Sequence, residues 1–319
     1  MRKGLFTALR ISVSAILIAA LLYSMRGQYQ QVMSVIKGMD VGIFLTGLLI
    51  FSCAHLIVSL RLKLIIQAQE ISVKFFETVY LTLIGYFFNN FLPTAIGGDV
   101  VKAYYLSRKS SDKIGAVASI FVDRLIGLFT MVFMACGALF FFGNGLVEKS
   151  VARIIYMMTL GALALLILLA NQTLAKTIFK FMPFLTPLAE KLKAGYAVVN
   201  KYRHHKVLMM DSFFISIISQ MLFFFCLWFL ALSIGTHIPI KDLYLRMPII
   251  GIIALLPSIN GLGLREGSTV VFFGPLIGKE NAFAVSILWL FILFITSIIG
   301  GLVYALFPQF KVKAVKNGV

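Results

Sequence analysis

Acidic residues are scarce: twelve aspartates and glutamates stand among 319 positions, against twenty-nine lysines and arginines. Charge of either sign accounts for only 13% of the chain, while 60% is hydrophobic and the mean hydropathy is +0.97. So few polar residues cannot clothe a water-soluble globule, which excludes the soluble fold classes and leaves an all-α polytopic membrane protein. Cysteine is nearly absent. Cys53, Cys136 and Cys226 each lie in an apolar run without disulfide or metal-ligand spacing, and are expected to serve as small packing residues. HExxH, the Walker A loop, GxSxG and metal-ligand clusters are missing, so the chain does not read as an enzyme and no cofactor or metal is expected. The formal charge of +17 does not point to nucleic acid, because the basic residues sit in short loops beside apolar spans, where they set topology and meet anionic lipid.

Apolar runs predict full spans at 9–25, 41–60, 114–142, 152–170, 208–235 and 282–307. The first follows Arg2, Lys3 and Arg10 in the manner of a signal peptide. No small-x-small cleavage site precedes Met25-Arg26, and an uncleaved helix is expected. Two further segments are apolar but broken. One runs from Phe76 through Asn89-Asn90-Phe91-Leu92-Pro93 and Gly97-Gly98-Asp99 to Leu106. The other has short apolar legs at 243–256 and 268–278 around Leu256-Pro257-Ser258-Ile259-Asn260-Gly261-Leu262-Gly263-Leu264-Arg265-Glu266-Gly267. Legs this short do not cross the bilayer, for which about 20 residues are needed. Irregular backbone at membrane depth survives only against protein or a cavity, so both segments are predicted to be re-entrant helical hairpins.

With the N-terminus cytoplasmic and each hairpin returning to the side it left, the cytoplasmic segments hold twenty lysines and arginines and the outer ones seven. The positive-inside rule favours this topology, with both termini cytoplasmic. The two hairpins then enter from opposite faces. Ile84-Gly85 with Leu92-Pro93 echoes Ile250-Gly251 with Leu256-Pro257, and the first glycine follows each proline by four residues. Such paired breaks suggest an inverted repeat within a single membrane domain, with halves at 1–142 and 152–307. The basic, aromatic segment 171–206 reads as an interfacial amphipathic stretch on the inner leaflet.

Candidate functional residues are the polar groups at membrane depth: Asn89, Asn90, Asp99, Lys102, Asp123, Arg124, Asn260, Arg265 and Glu266. Buried charge there costs roughly 2.5–3.5 kcal/mol each on insertion scales and usually marks a function. Asp123 and Arg124 project about 100° apart and must face different partners. Asp123 with Arg265, and Arg124 with Glu266 or Asp99, are the expected pairs, and they would either bind substrate or only hold the bundle together. A guanidinium takes a phosphate bidentately, and a Gly-rich break offers backbone N–H groups. Lys102, Arg124 and Arg265 would therefore suit a lipid phosphate. Asp99, Glu266 and the asparagines would suit a cationic or hydroxylated headgroup beyond it.

The ordered motifs Asn89-Asn90-Phe91-Leu92-Pro93 to Gly97-Gly98-Asp99 with Lys102, Asp123-Arg124 with Gly127, and Pro257 to Gly261-Leu262-Gly263 with Arg265-Glu266-Gly267 resemble the lysylphosphatidylglycerol synthase transmembrane-region family. This family is also described as flippase-like. The resemblance covers essentially the whole chain. It implies a multi-pass bacterial or archaeal protein that moves a lipid or lipid-linked headgroup between leaflets. The cytosolic aminoacyl-transfer domain of the fused synthases has no counterpart up to Val319, so only lipid handling is implied. The expected partners are an anionic phospholipid or lipid-linked glycan, with further copies of the chain also considered. Two alternatives remain open: a non-transporting partner that presents lipid to a separate transferase, and an embedded enzyme acting on polyprenyl-phosphate sugars.

Overall fold

Residues 29–91, 97–142, 148–171, 205–256 and 260–310, with positions 23, 173, 202 and 258, are described by the computed structural model. The predicted first span, most of segment 171–206 and the link 92–96 lie outside them. Among the described residues there are ten α-helices and no strand. In chain order they are α1 (Tyr29–Lys37), α2 (Val41–Gln67), α3 (Phe75–Phe91), α4 (Gly97–Lys109), α5 (Lys113–Phe142), α6 (Lys149–Ala170), α7 (Lys206–Ser233), α8 (Ile240–Ile253), α9 (Leu264–Ile277) and α10 (Lys279–Leu306). A 3-10 turn, Pro308–Phe310, follows.

Five of these, α2, α5, α6, α7 and α10, are long and apolar enough to cross a membrane. They coincide with five of the six predicted spans. Helices α4, α8 and α9, at 13, 14 and 14 residues, fall short of the ~20 needed to span. Helix α3, at 17 residues, sits at the lower limit, and it turns back into α4 as α8 turns back into α9.

Local chemistry sets the boundaries. The Asp40 carboxylate accepts from the Ile43 N–H at 3.0 Å, capping α2, while the Asp40 N–H donates to the Ser233 carbonyl at 2.7 Å and ties that start to the end of α7. Across the second break the chain passes through left-handed Asn260, Gly261 and Gly263, at φ 48°, 76° and 82°. Only glycine, with asparagine as the tolerated exception, takes such a path cheaply. That need explains the Gly-rich signature.

Packing gathers the elements around α2 and α7, which run against one another along their length. Gly47 on α2 lets the backbones close onto Cys226 and Phe229. Phe51, Phe224, Leu227, Leu230, Phe273 and Leu288 fill the centre. Helix α3 lies between α2, α4 and α10, while α8 lies on α5. Two backbone crossings fix α3: Gly98 of α4 abuts the Gly85 carbonyl, and Gly300 of α10 abuts the Leu83 carbonyl. Small residues at such contacts are how helices associate when lipid removes the hydrophobic drive between them. The outer surface is apolar, and Phe140 and Phe141 are 80% and 75% exposed, as suits side chains facing hydrocarbon. Two of the cysteines differ from expectation. Only Cys226 packs inside, while Cys53 and Cys136 are exposed on the outer surface, because each falls on the outward stripe of its helix.

Candidate functional site

The hairpin tips touch. The Asn260 side-chain amide donates to the Asn90 side-chain oxygen, joining the second break to the end of α3. Asn89, one residue earlier, is committed elsewhere: its side-chain oxygen accepts the Gly98 N–H at 2.8 Å. It thereby satisfies one of the orphan donors at the start of α4, a structural task rather than a ligand-binding one.

Behind the tips the buried carboxylates Asp99, Asp123 and Glu266 each anchor an ion-paired group, in which the Arg124 side chain is 39% exposed; a further buried pair, Asp242 with Arg246, lies within α8. On α4, Asp99 pairs with Arg124 of α5, and Lys102 stands 3.6 Å from the same carboxylate. The lysine stem crosses Gly85, where any side chain would collide with it. On α5, Asp123 takes a different partner from Arg124, as their angular separation requires. That partner is Arg61 of α2, at 2.8 Å, and Arg61 also donates to the Ser216 hydroxyl of α7 at 2.7 Å. On α9, Arg265 donates to Glu266 Oε1 at 2.6 and 3.0 Å, and the Gly263 N–H donates to Oε2 at 2.7 Å. Glu266 therefore caps its own helix and neutralises its neighbour.

This overturns the expected pairing of Asp123 with Arg265, and of Arg124 with Glu266. Arg265 sits in the first turn of α9, where its long side chain folds back onto the next residue, so no cross-element partner is required. Arg61 was expected in a cytoplasmic segment, yet α2 continues to Gln67 and carries it into the core, where it is buried. The apolar Leu62, Leu64, Ile65 and Ile66 beyond it were the signal that the helix had not ended. Removing the buried Arg61 from the cytoplasmic tally and the buried Arg246 from the outer one leaves nineteen basic residues against six, so the charge bias persists.

A cavity of about 200 Å³ lies beside these groups. Arg265 and Thr269 of α9, Tyr86 of α3, Met131 of α5, Gln220 of α7 and Trp289 of α10 help to line it. Tyr86 is within electrostatic reach of Arg61, Arg124, Asp99 and Asp123, which connects the cavity with both ion pairs. His55, buried one turn from Phe51, packs its ring at a tilt against Tyr86 and donates from Nδ1 to the Phe51 carbonyl at 2.9 Å. Tyr86, Gln220 and Trp289 carry no charge and lie in ordinary apolar runs, so sequence patterning gave no sign of them. Among the described residues no group of three His, Cys, Asp or Glu side chains is placed to hold a metal.

Helices, hairpins and buried charge together define a multi-pass α-helical membrane protein with a polar centre. The chain belongs to the lysylphosphatidylglycerol synthase transmembrane-region family, whose model matches residues 7–301. It is similar to the UPF0104 membrane protein MJ1595 of Methanocaldococcus jannaschii, at 24% identity over 252 residues, covering 73% of this chain and 74% of that one. It is also similar to the UPF0104 membrane protein PH1989 of Pyrococcus horikoshii, at 25% identity over 291 residues, covering 78% and 81%. No solved structure matches it.

Proposed function

We propose that the chain is a lipid transporter of the flippase type, moving a phospholipid or lipid-linked headgroup between leaflets without chemically altering it. One observation carries this reading. Among the described residues, the ion pairs behind the hairpin tips gather four cations, Arg61, Lys102, Arg124 and Arg265, and three carboxylates, Asp99, Asp123 and Glu266. Lys102 and Arg124 both meet the Asp99 carboxylate, and a cation-rich group of this kind favours an anionic ligand. A phosphodiester supplies such an anion. Its phosphate would be held at Lys102, Arg124 and Arg265, its polar headgroup in the adjoining cavity, and its acyl chains in the bilayer.

The architecture supports the same reading. If the five long helices cross fully and each hairpin returns to the side it left, α2 and α7 start on opposite faces. Two units of the form long helix, hairpin, long helix (α2 to α5 and α7 to α10) then run in opposite senses. Helix α3 packs on α10 just as α8 packs on α5, the reciprocal contact a two-fold relation in the membrane plane would produce. Inverted units with broken helices at their junction suit alternating access to a central site. This division replaces the halves 1–142 and 152–307 with 41–142 and 206–306, leaving α6 as the connecting span. By the charge bias, the open end of the first hairpin is cytoplasmic.

Leaflet accessibility of labelled lipids in proteoliposomes tests the proposal. Candidates are aminoacylated phosphatidylglycerol and polyprenyl-phosphate sugars. Wild type should move at least one of them, and folded Arg265→Ala should lose at least tenfold in rate. The family description favours one second reading, a non-transporting membrane partner that presents lipid to a separate transferase. In that case wild type alone moves no lipid, and the effect of the chain emerges only when the transferase is added.

A further inference from the structure

At the end of the first hairpin away from its tip, α3 and α4 open onto a second cavity, of about 350 Å³, that the central site does not use. Glu77 of α3, Tyr104, Tyr105, Arg108 and Lys109 of α4, and Gln309 of the 3-10 turn line it. Lys109 Nζ donates to both Glu77 oxygens, at 2.9 and 2.7 Å, and closes the mouth of the hairpin. Arg108 lies over the Tyr104 ring, 5.9 Å from its centre, and among the described residues no carboxylate pairs with it. The floor is Phe310, whose ring lies 4.8 Å from that of Tyr105. Two cations thus face one carboxylate, together with two phenols and an amide. The guanidinium alone offers five N–H donors without an anionic acceptor. Phe76, 66% exposed one residue before Glu77, places this mouth beside an apolar surface. Lys109 is seven residues from Lys102 on the same helix, about 10 Å along its axis.

We propose that this mouth is a separate binding site for the phosphate of an anionic ligand, either a phospholipid headgroup at the membrane surface or a free phosphate ester. Arg108 is its principal contact, Tyr104, Tyr105 and Gln309 donate to the remaining oxygens, and Glu77 holds Lys109 when the site is empty. A bound phosphate competes with Glu77 for Lys109. The site stands independently of transport, because it shares no side chain with the central cluster.

The test is protection of Arg108 from phenylglyoxal in the purified full chain in uncharged detergent, read at the Arg108 peptide by mass spectrometry. Dioctanoyl phosphatidylglycerol should slow modification at least threefold, and dioctanoyl phosphatidylcholine should not. Protection by glycerol 3-phosphate as well identifies a free phosphate ester as a sufficient ligand, whereas protection by the lipid alone identifies the headgroup. Glu77→Gln should strengthen protection by removing the competing carboxylate. The proposal is overturned if no phosphate-bearing ligand protects Arg108, if phosphatidylcholine protects it equally, or if Glu77→Gln weakens protection as the loss of a purely structural clamp would.

Discussion

Arg61 joins three helices through a single guanidinium, donating to Asp123 of α5 and Ser216 of α7 from its place on α2. Removing one member of a buried pair strands the other charge, at a cost of about 3–5 kcal/mol. Arg61→Ala should therefore lower stability in detergent by about that much, as measured by denaturant unfolding, and Arg61→Met with Asp123→Leu should restore most of it. If the double replacement restores stability and transport together, the pair is scaffold; if stability alone returns, the pair also acts on the substrate. At the mouth of the first hairpin, partial burial of Glu77 works to raise its carboxyl, but the Lys109 hydrogen bonds outweigh this and hold it below its ordinary value of 4.5. Its contribution is thus complete above that value and fades as pH falls through the lowered one. Hydrogen exchange over α4 should accelerate below about pH 4.5, and Glu77→Gln should abolish that step while leaving exchange near neutrality faster than in wild type. Composition and depth identified Asp99, Asp123 and Glu266, because a charged residue inside an apolar run stands out, but missed Arg61, Asp242 and Arg246, which lie near the ends of such runs. Their pairing was not legible: Asp123 meets Arg61 across 62 positions of sequence, and nothing in either neighbourhood names the other.

The hairpins hold their place through glycine. A methyl at Gly98 or Gly300 would strike backbone of α3, which cannot move aside as a flexible side chain would, whereas Gly137 and Gly161 face open space. Gly98→Ala and Gly300→Ala should each cost about 1–3 kcal/mol of unfolding free energy. Gly137→Ala and Gly161→Ala should be neutral or stabilise by up to about 1 kcal/mol, since alanine is the better helix former. Equal effects at all four positions would mean that the crossings on α3 do not set the packing. The broken segments themselves were readable from leg length and from the Gly/Pro punctuation. The lining of the cavity was not, because Tyr86, Gln220 and Trp289 are distinguished only by how the helices rotate against one another.

Across the whole molecule, the Asn90–Asn260 contact links the two oppositely directed units. If transport needs the tips to part, a disulfide between Asn90→Cys and Asn260→Cys, in a background where Cys53, Cys136 and Cys226 are replaced, should abolish lipid movement. Reduction should then restore it, and leaflet-accessibility assays with and without reductant read both states. Transport that continues under the lock would place the moving parts elsewhere. Helix α6 faces lipid over most of its length, but its first turns bury Val151 and Ile155 against Ala135, Ala138 and Leu139 of α5 and Leu245 and Ile249 of α8, so it touches both units at one end.

The reach of Arg61 also bears on how the chain is made. Its carboxylate partner follows 62 residues later and its hydroxyl partner 155 residues later. At about 5–20 residues per second, the ribosome delivers the first after roughly 3–12 s and the second after roughly 8–31 s. For the first of these intervals the Arg61 guanidinium lacks both of these partners. The junction of α2, α5 and α7 therefore closes only once α7 has been made, and α2 gains its two polar partners one after the other.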